Sequence, residues 1–131
     1  MREQLLVSLK RNEQAAIGMI TDQLWAGELG DGSIMPPYSP VSVAKFGKPP
    51  GPWRLYDQGD YYRGIFMQAA KFPVVFDNHD QKTGKIAEML EGRGGNADEI
   101  LTINEANKND LARNYILTDL QNYLRSIIQL R

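Results

Sequence analysis

Residues 33 to 54 read Ser-Ile-Met-Pro-Pro-Tyr-Ser-Pro-Val-Ser-Val-Ala-Lys-Phe-Gly-Lys-Pro-Pro-Gly-Pro-Trp-Arg, "SIMPPYSPVSVAKFGKPPGPWR". Six of the chain's seven prolines lie here: Pro36, Pro37, Pro40, Pro49, Pro50 and Pro52. Proline removes a backbone donor and disfavours helix at the residue before it. The stretch therefore reads as an extended arm that divides the chain into a helical first part and a mixed second part. It carries Tyr38, Phe46 and Trp53 with Lys45, Lys48 and Arg54, and no acid occurs between Asp31 and Asp57. A segment of this length without regular structure is uncommon in a small domain and is often functional. Its aromatics separate it from a disordered linker, which usually lacks them.

On the N-terminal side of the arm, residues 3 to 26 read as one long helix. Leu5, Leu6, Leu9, Ala16, Ile20 and Leu24 recur at helical spacing, with polar residues on the other side. The pattern breaks at Gly27, Gly30 and Gly32. On the C-terminal side, Asp57-Gln58-Gly59-Asp60 is turn chemistry. "YYRGIFMQA" and "PVVFDN" then read as the two strands of a hairpin joined through "AAKF". Asp80 is placed to cap a short helix with Ile86, Met89 and Leu90 on its apolar face. "NADEILTI" reads as a turn and a short extended piece. Asn104 is placed to cap a helix from about 105 to 130, with an apolar stripe of Leu111, Tyr115, Leu117, Leu120, Leu124, Ile127 and Ile128, edged by Ile116 and Tyr123. The expected fold is α+β: two long amphipathic helices, N- and C-terminal, packed on a small antiparallel β-hairpin sheet, in a single domain over residues 1–131 that contains the arm.

Length and composition suit that expectation. The chain has 131 residues, 42% of them hydrophobic and 24% charged, with net charge −1. A domain of this size buries a core without staples. Its near-neutral charge gives no bulk attraction to nucleic acid or anionic membranes. It has no cysteine, which removes disulfides, thiolate nucleophiles and zinc–thiolate ligands. No apolar run reaches the roughly 18 residues a membrane helix needs, and "MREQLLVSLKRNEQ" does not read as a signal peptide.

Candidate chemistry is sparse. His79, the only histidine, lies in "FDNHDQK" between Asp77 and Asp80. A His–Asp base or a metal site is one reading; a solvated turn, with the acids bonding local backbone, is the other and is favoured. The calcium-loop pattern fails for want of its glycine and glutamate. Asp57 and Asp60 form a possible carboxylate pair that a turn also explains, and Glu88, Glu91 and Lys85 form an ordinary solvated helix face. "KTGK" and "GRGG" lack the phosphate-loop context, and no Gly-x-Ser-x-Gly elbow is present. The reading is of a protein without catalytic, cofactor-binding or metal residues.

The aromatics carry more. Seven of the chain's twelve fall between Tyr38 and Phe66. Phe66, Tyr62 and Trp53 are candidates for the core. Surface aromatics beside a basic, proline-rich arm match interface composition, where Tyr, Trp and Arg are enriched. The candidate subunit or partner interface is Tyr38, Phe46, Trp53, Arg54, Tyr56 and Tyr61.

The order of these elements resembles the small virion proteins of tailed bacteriophages, in the minor-tail or tail-completion (head–tail connector) class. The matching stretches are "QLWAGELGDGSIMPPYSP" (23–40), "LYDQGDYYRGIF" (55–66), "DNHDQKTGKIAEMLEGRG" (77–94) and "EILTINEANKNDLARNYILTDLQNYLRSII" (99–128). The chain departs from that pattern at Gln58, where the similar proteins commonly carry Thr, and in the longer link "GRGGNADEI". The resemblance implies a structural role in the virion. It implies an oligomeric ring at the neck or tail end, built of copies of the chain and neighbouring portal, neck or tail proteins. DNA would pass through without sequence-specific contact, no membrane would be involved, and synthesis would be in the host bacterial cytoplasm. A closed ring needs one patch to meet a different patch on the neighbour, and an arm reaching across suits that need. Lys45, Lys48 and Arg54 are expected to face acids on a neighbour, since three dispersed bases release few counterions from DNA. The alternatives are a small hydrolase or nuclease using His79 with Asp77 or Asp80, and a monomeric adaptor.

Overall fold

The computed structural model describes residues 2–128. Within them the fold is α+β, with a two-stranded antiparallel sheet and a C-terminal helix 24 residues long. No described helix is long and apolar enough to cross a membrane. The expected N-terminal helix is two: α1 (Arg2–Arg11) and α2 (Glu13–Trp25). The break lies at Asn12, whose side-chain amide donates to the Ser8 carbonyl at 2.9 Å. Asparagine competes in this way with the helical ladder. The same amide donates to Asp119 at 3.2 Å, and the buried Ser8 hydroxyl donates to Asp119 at 2.9 Å. One carboxylate of the C-terminal helix therefore holds the junction.

Helix α2 is the hub of the core. Ala16, Met19, Ile20 and Leu24 are buried along it, and Ile20, Leu24, Leu29 and Leu90 are the largest fully buried side chains. A glutamine sits in the same row. Gln23 is buried; its amide donates to the Thr102 carbonyl at 3.0 Å, and its oxygen accepts from the Asn104 amide at 3.0 Å and the Asn107 side chain at 2.8 Å.

The hairpin pairs β1 (Ile65–Gln68) with β2 (Val75–Asn78), Phe66 opposite Asp77 and Met67 opposite Phe76. The first strand starts later than its sequence suggests. Asp60–Arg63 forms a helical turn, α4, after Gly59 at φ 86°. The buried Asn78 side chain then donates to the Tyr61 carbonyl at 2.6 Å, and a Cβ on Gly64 would lie 2.2 Å from the Asn78 oxygen. Asn78 therefore clamps the turn against the end of the hairpin. Next comes α5 (Thr83–Glu91), whose N-cap position is Lys82 and carries no side-chain cap; Asp80, expected as the cap, instead accepts from the Lys82 amide at 2.7 Å in the turn that precedes the helix. Leu90 on α5 is fully buried, Ile86 is partly so, and Met89 is 51% exposed. A 3₁₀ turn (Ala97–Glu99), rather than an extended piece, fills the link to the last helix.

That last helix starts where expected. The Asn104 side chain accepts from the Asn107 amide at 2.8 Å, as an N-cap does. It consists of α6 (Glu105–Asp110), a π-helical segment (Leu111–Ile116) and α7 (Leu117–Ile128). The π segment changes which residues face inward. Its i→i+5 bonding brings Leu111 and Ile116, five apart, to one side, and both are buried. The single stripe read from the sequence is thereby split. Beyond Ile116 no residue of α7 is fully buried, and Leu117, Ile127 and Ile128 are about half exposed. α7 is held on α1 by its polar edge at Asp119, which also lies 3.3 Å from Arg11.

The arm corrects the sequence reading most. It is neither extended throughout nor unheld. Pro40–Phe46 forms α3, with Ser39 as N-cap, Pro40 in the first turn and Gly47 at φ 66° as its left-handed C-cap. The two legs of the arm meet in an isolated antiparallel bridge, Pro37 to Pro52. The Tyr38 amide donates to Gly51 and the Trp53 amide to Pro36, both at 2.9 Å. The base of the arm docks on the end of α2, where the Met35 amide donates to the Gly27 carbonyl at 2.7 Å. A Cβ at Gly27 would lie 2.4 Å from Pro52, so only glycine admits that approach. The arm folds on its own body and holds α3 at its tip.

Candidate protein-interaction surface

The six residues singled out from the sequence divide into a buried pair, a half-buried pair (Tyr38 and Arg54) and an exposed pair. Trp53 is 8% exposed and Tyr61 4%, and both belong to the hydrophobic core. They are corrected from interface to core: Trp53 closes the base of the arm, and Tyr61 is turned inward by the α4 turn. Tyr38 is half-buried, while Phe46 is 69% and Tyr56 44% exposed.

The exposed members form two adjoining features. The first is a row of rings. Trp25, at the end of α2, meets Tyr56 edge-on at 5.5 Å between centroids, and Tyr56 meets Tyr62 edge-on at 5.3 Å. The Arg54 guanidinium lies 4.7 Å from the Trp25 ring centre. Edge-to-face aromatic pairs contribute about 0.5–1.5 kcal/mol beyond the area they bury. The backbone under the row is pinned on both sides: the Arg54 amide donates to the Tyr38 hydroxyl at 3.2 Å, and the Tyr62 hydroxyl donates to the Arg54 carbonyl at 2.7 Å. Burial, with further contributions from Tyr38 and Tyr56, pushes the Tyr62 phenol well above the usual tyrosine range. Leu55, between Arg54 and Tyr56, has φ 56°. A left-handed, non-glycine residue costs roughly 1–2 kcal/mol, and here it sits between the two side chains the row presents. Trp25 stays 51% exposed although its neighbours are fixed.

The second feature is a groove of about 280 Å³ between α3 and α5, lined by Tyr38, Phe46, Trp53, Met89, Lys48 and Arg93 among others. Lys48 lies 5.8 Å from the Tyr38 ring centre and Arg93 5.8 Å from that of Trp53. Lys48 also pairs with Asp57 at 3.7 Å. Tyr38 and Lys48 lie on the boundary with a second hollow of about 260 Å³ toward Tyr56 and Lys82.

The residues weighed for chemistry each have a local partner. His79 is exposed and stacks on Phe66 at 3.9 Å with a 10° interplanar angle. Asp77 accepts from the Asn78 amide at 2.8 Å and Asp80 from the Lys82 amide at 2.7 Å, so both acids serve local turns. Asp60 pairs with Arg63 and Asp57 with Lys48. No group of three His, Cys, Asp or Glu side chains able to hold a metal occurs among the described residues.

Sequence reasoning missed Trp25 and Met89 as surface residues. Trp25 lies off the apolar row of its helix that runs through Ala16, Ile20 and Leu24, and an aromatic on the polar side of a helix was the available signal. Met89 gave none, because its helical spacing matches that of the buried Leu90 face. Family profiles, curated proteins and solved structures yield no match to this chain.

Proposed function

We propose that this chain is a non-enzymatic virion protein of a tailed phage, acting in head–tail connection or tail completion as a component of an oligomeric ring. The phage class comes from the resemblance in element order. The mode of action is supported by the row Trp25–Tyr56–Tyr62 with Arg54. The row is half exposed yet ordered within its own chain. Trp, Tyr and Arg dominate binding energy at protein interfaces, and a preordered surface loses less entropy on docking. The arm contributes a shaped, folded surface rather than a loose strap. The α7 stripe of Leu117, Ile127 and Ile128 adds a second apolar face, and a closed ring requires two unlike patches.

Negative-stain electron microscopy of the purified chain, alone and with Tyr56→Glu, tests this. Closed rings from the parent chain and their loss in the variant, with far-UV circular dichroism unchanged, support it. Featureless fields at every concentration for the parent chain contradict it. Deleting residues 36 to 52 is no substitute, because that removes the Pro36 and Pro52 contacts that close the core over Trp53.

A further inference from the structure

The groove between α3 and α5 differs from the aromatic row in its charge. Its floor is aromatic and aliphatic, with Phe46 69% and Met89 51% exposed. Two cations, Lys48 and Arg93, stand over its rings, and no carboxylate lines it. Asp57, which lines the adjoining hollow, pairs with Lys48 at 3.7 Å. Among the described residues Arg93 has no ion-pair partner. Lys45 adds a third positive charge in the last turn of α3. An apolar floor under two cations, of which only Lys48 is already engaged by a carboxylate, is complementary to a bulky apolar side chain flanked by carboxylates.

We infer that this groove receives an acidic, apolar segment of a different protein. The inference rests on the assembly reading above, since it names the partner chemistry of that surface. Among the described residues, the chain's large exposed apolar stripe, on α7, does not match it: Arg125 lies in the same helix, and the one acid of α7, Asp119, is engaged by Ser8, Asn12 and Arg11. Copies would thus meet through the aromatic row and the α7 stripe, and the α3–α5 groove would take a non-identical neighbour.

The test uses short fluorescein-labelled peptides with a Leu-Phe pair flanked by glutamates, or by lysines, titrated into the full chain. Amide chemical shifts locate the contact. The glutamate peptide should bind at least about tenfold more tightly than the lysine peptide, the value of two ion pairs at a partly exposed site. Shifts should concentrate at Ser42, Phe46 and Met89. Lys48→Glu with Arg93→Glu should reverse the order, and Phe46→Ser should weaken both peptides. Equal binding of the two peptides, absence of binding at millimolar peptide, or shifts confined to another face would overturn the inference, as would self-association that the double charge reversal abolishes. Rings that persist in the double variant while the peptide preference is absent would remove this inference alone. Peptide preference in a chain that never assembles would remove the ring and leave the groove.

Discussion

Replacing Gln23 by Leu should loosen the C-terminal helix from the core, although Leu is the more apolar residue and close in size. Gln23 is 4% exposed and satisfies three partners from the far end of the chain: the Thr102 carbonyl, the Asn104 amide and the Asn107 side chain. Asn107 can turn to water, but the two backbone groups are fixed by the start of the helix. Each backbone group left without a partner costs about 1–3 kcal/mol, so the loss is about 2–6 kcal/mol, reduced by about 1 kcal/mol for the added apolar burial. The net is about 1–5 kcal/mol, a large share of the 5–15 kcal/mol that holds a typical domain. For a chain of this size that corresponds to a fall in Tm of roughly 4–18 °C. Urea titration followed by circular dichroism should show a lower midpoint with an unchanged slope. Hydrogen exchange at the Asn104 amide should quicken more than at Ile20. A Gln23→Leu variant within about 0.5 kcal/mol of the parent chain would refute the view that this side chain ties the helix to the core.

Further outcomes follow from the packing. Phe46→Ser should leave stability within about 0.5 kcal/mol, whereas Trp53→Ala should cost about 3–5 kcal/mol; thermal melts of the two separate tip from base of the arm, and equal losses would contradict the burial described. Gly30→Ala would bring a Cβ within 2.5 Å of both the Thr102 carbonyl oxygen and its Cβ, so it should destabilise by about 1–3 kcal/mol. Gly84→Ala meets nothing within 4 Å in α5 and should stabilise by about 0.5–1 kcal/mol; chemical denaturation of the pair checks both signs. Tyr61 and Tyr62 are held protonated, chiefly by burial, with phenols raised above the ordinary range. An acid whose pKa is higher folded than unfolded favours the unfolded chain once the pH exceeds the unfolded value, about 10 for tyrosine. Stability should accordingly hold below that pH with respect to these groups and fall above it. Phenolate absorbance should show the two ionising only with loss of the fold, and their ionisation in an intact fold would contradict this.

The sequence carried the parts of the fold written in local chemistry. Asn104 as a cap, the helix after it, the glycine break after Trp25 and the short helix after Asp80 rest on neighbours a few residues apart. The α3 helix was also written locally, as Ser39–Pro40 at its start and Gly47 at its end. The count of prolines in the arm outweighed that signal, though Pro40 in a first turn favours a helix. Other features depend on partners far along the chain. The break at Asn12 involves Asp119, Gln23 reads as an interruption of an apolar row until Thr102 and Asn104 arrive, and the π segment follows from burying Leu111 with Ile116. The site divides in the same way. Composition marked Phe46, Arg54 and Tyr56 as interface candidates; Phe46 and Tyr56 are exposed and Arg54 is half-buried. Whether Trp53 and Tyr61 face in or out is decided by Pro36 and Asn78, which no local pattern links to them.

Covalent footprinting of the aromatic side chains over a rising protein concentration, with electron microscopy of the same samples, tests the central claim most directly. The account predicts that Trp25 and Tyr56 react readily in dilute protein and become protected as assemblies form, while Trp53 and Tyr61 stay protected throughout. Trp25 and Tyr56 remaining equally reactive at every concentration, in a chain that stays a monomer, would contradict it.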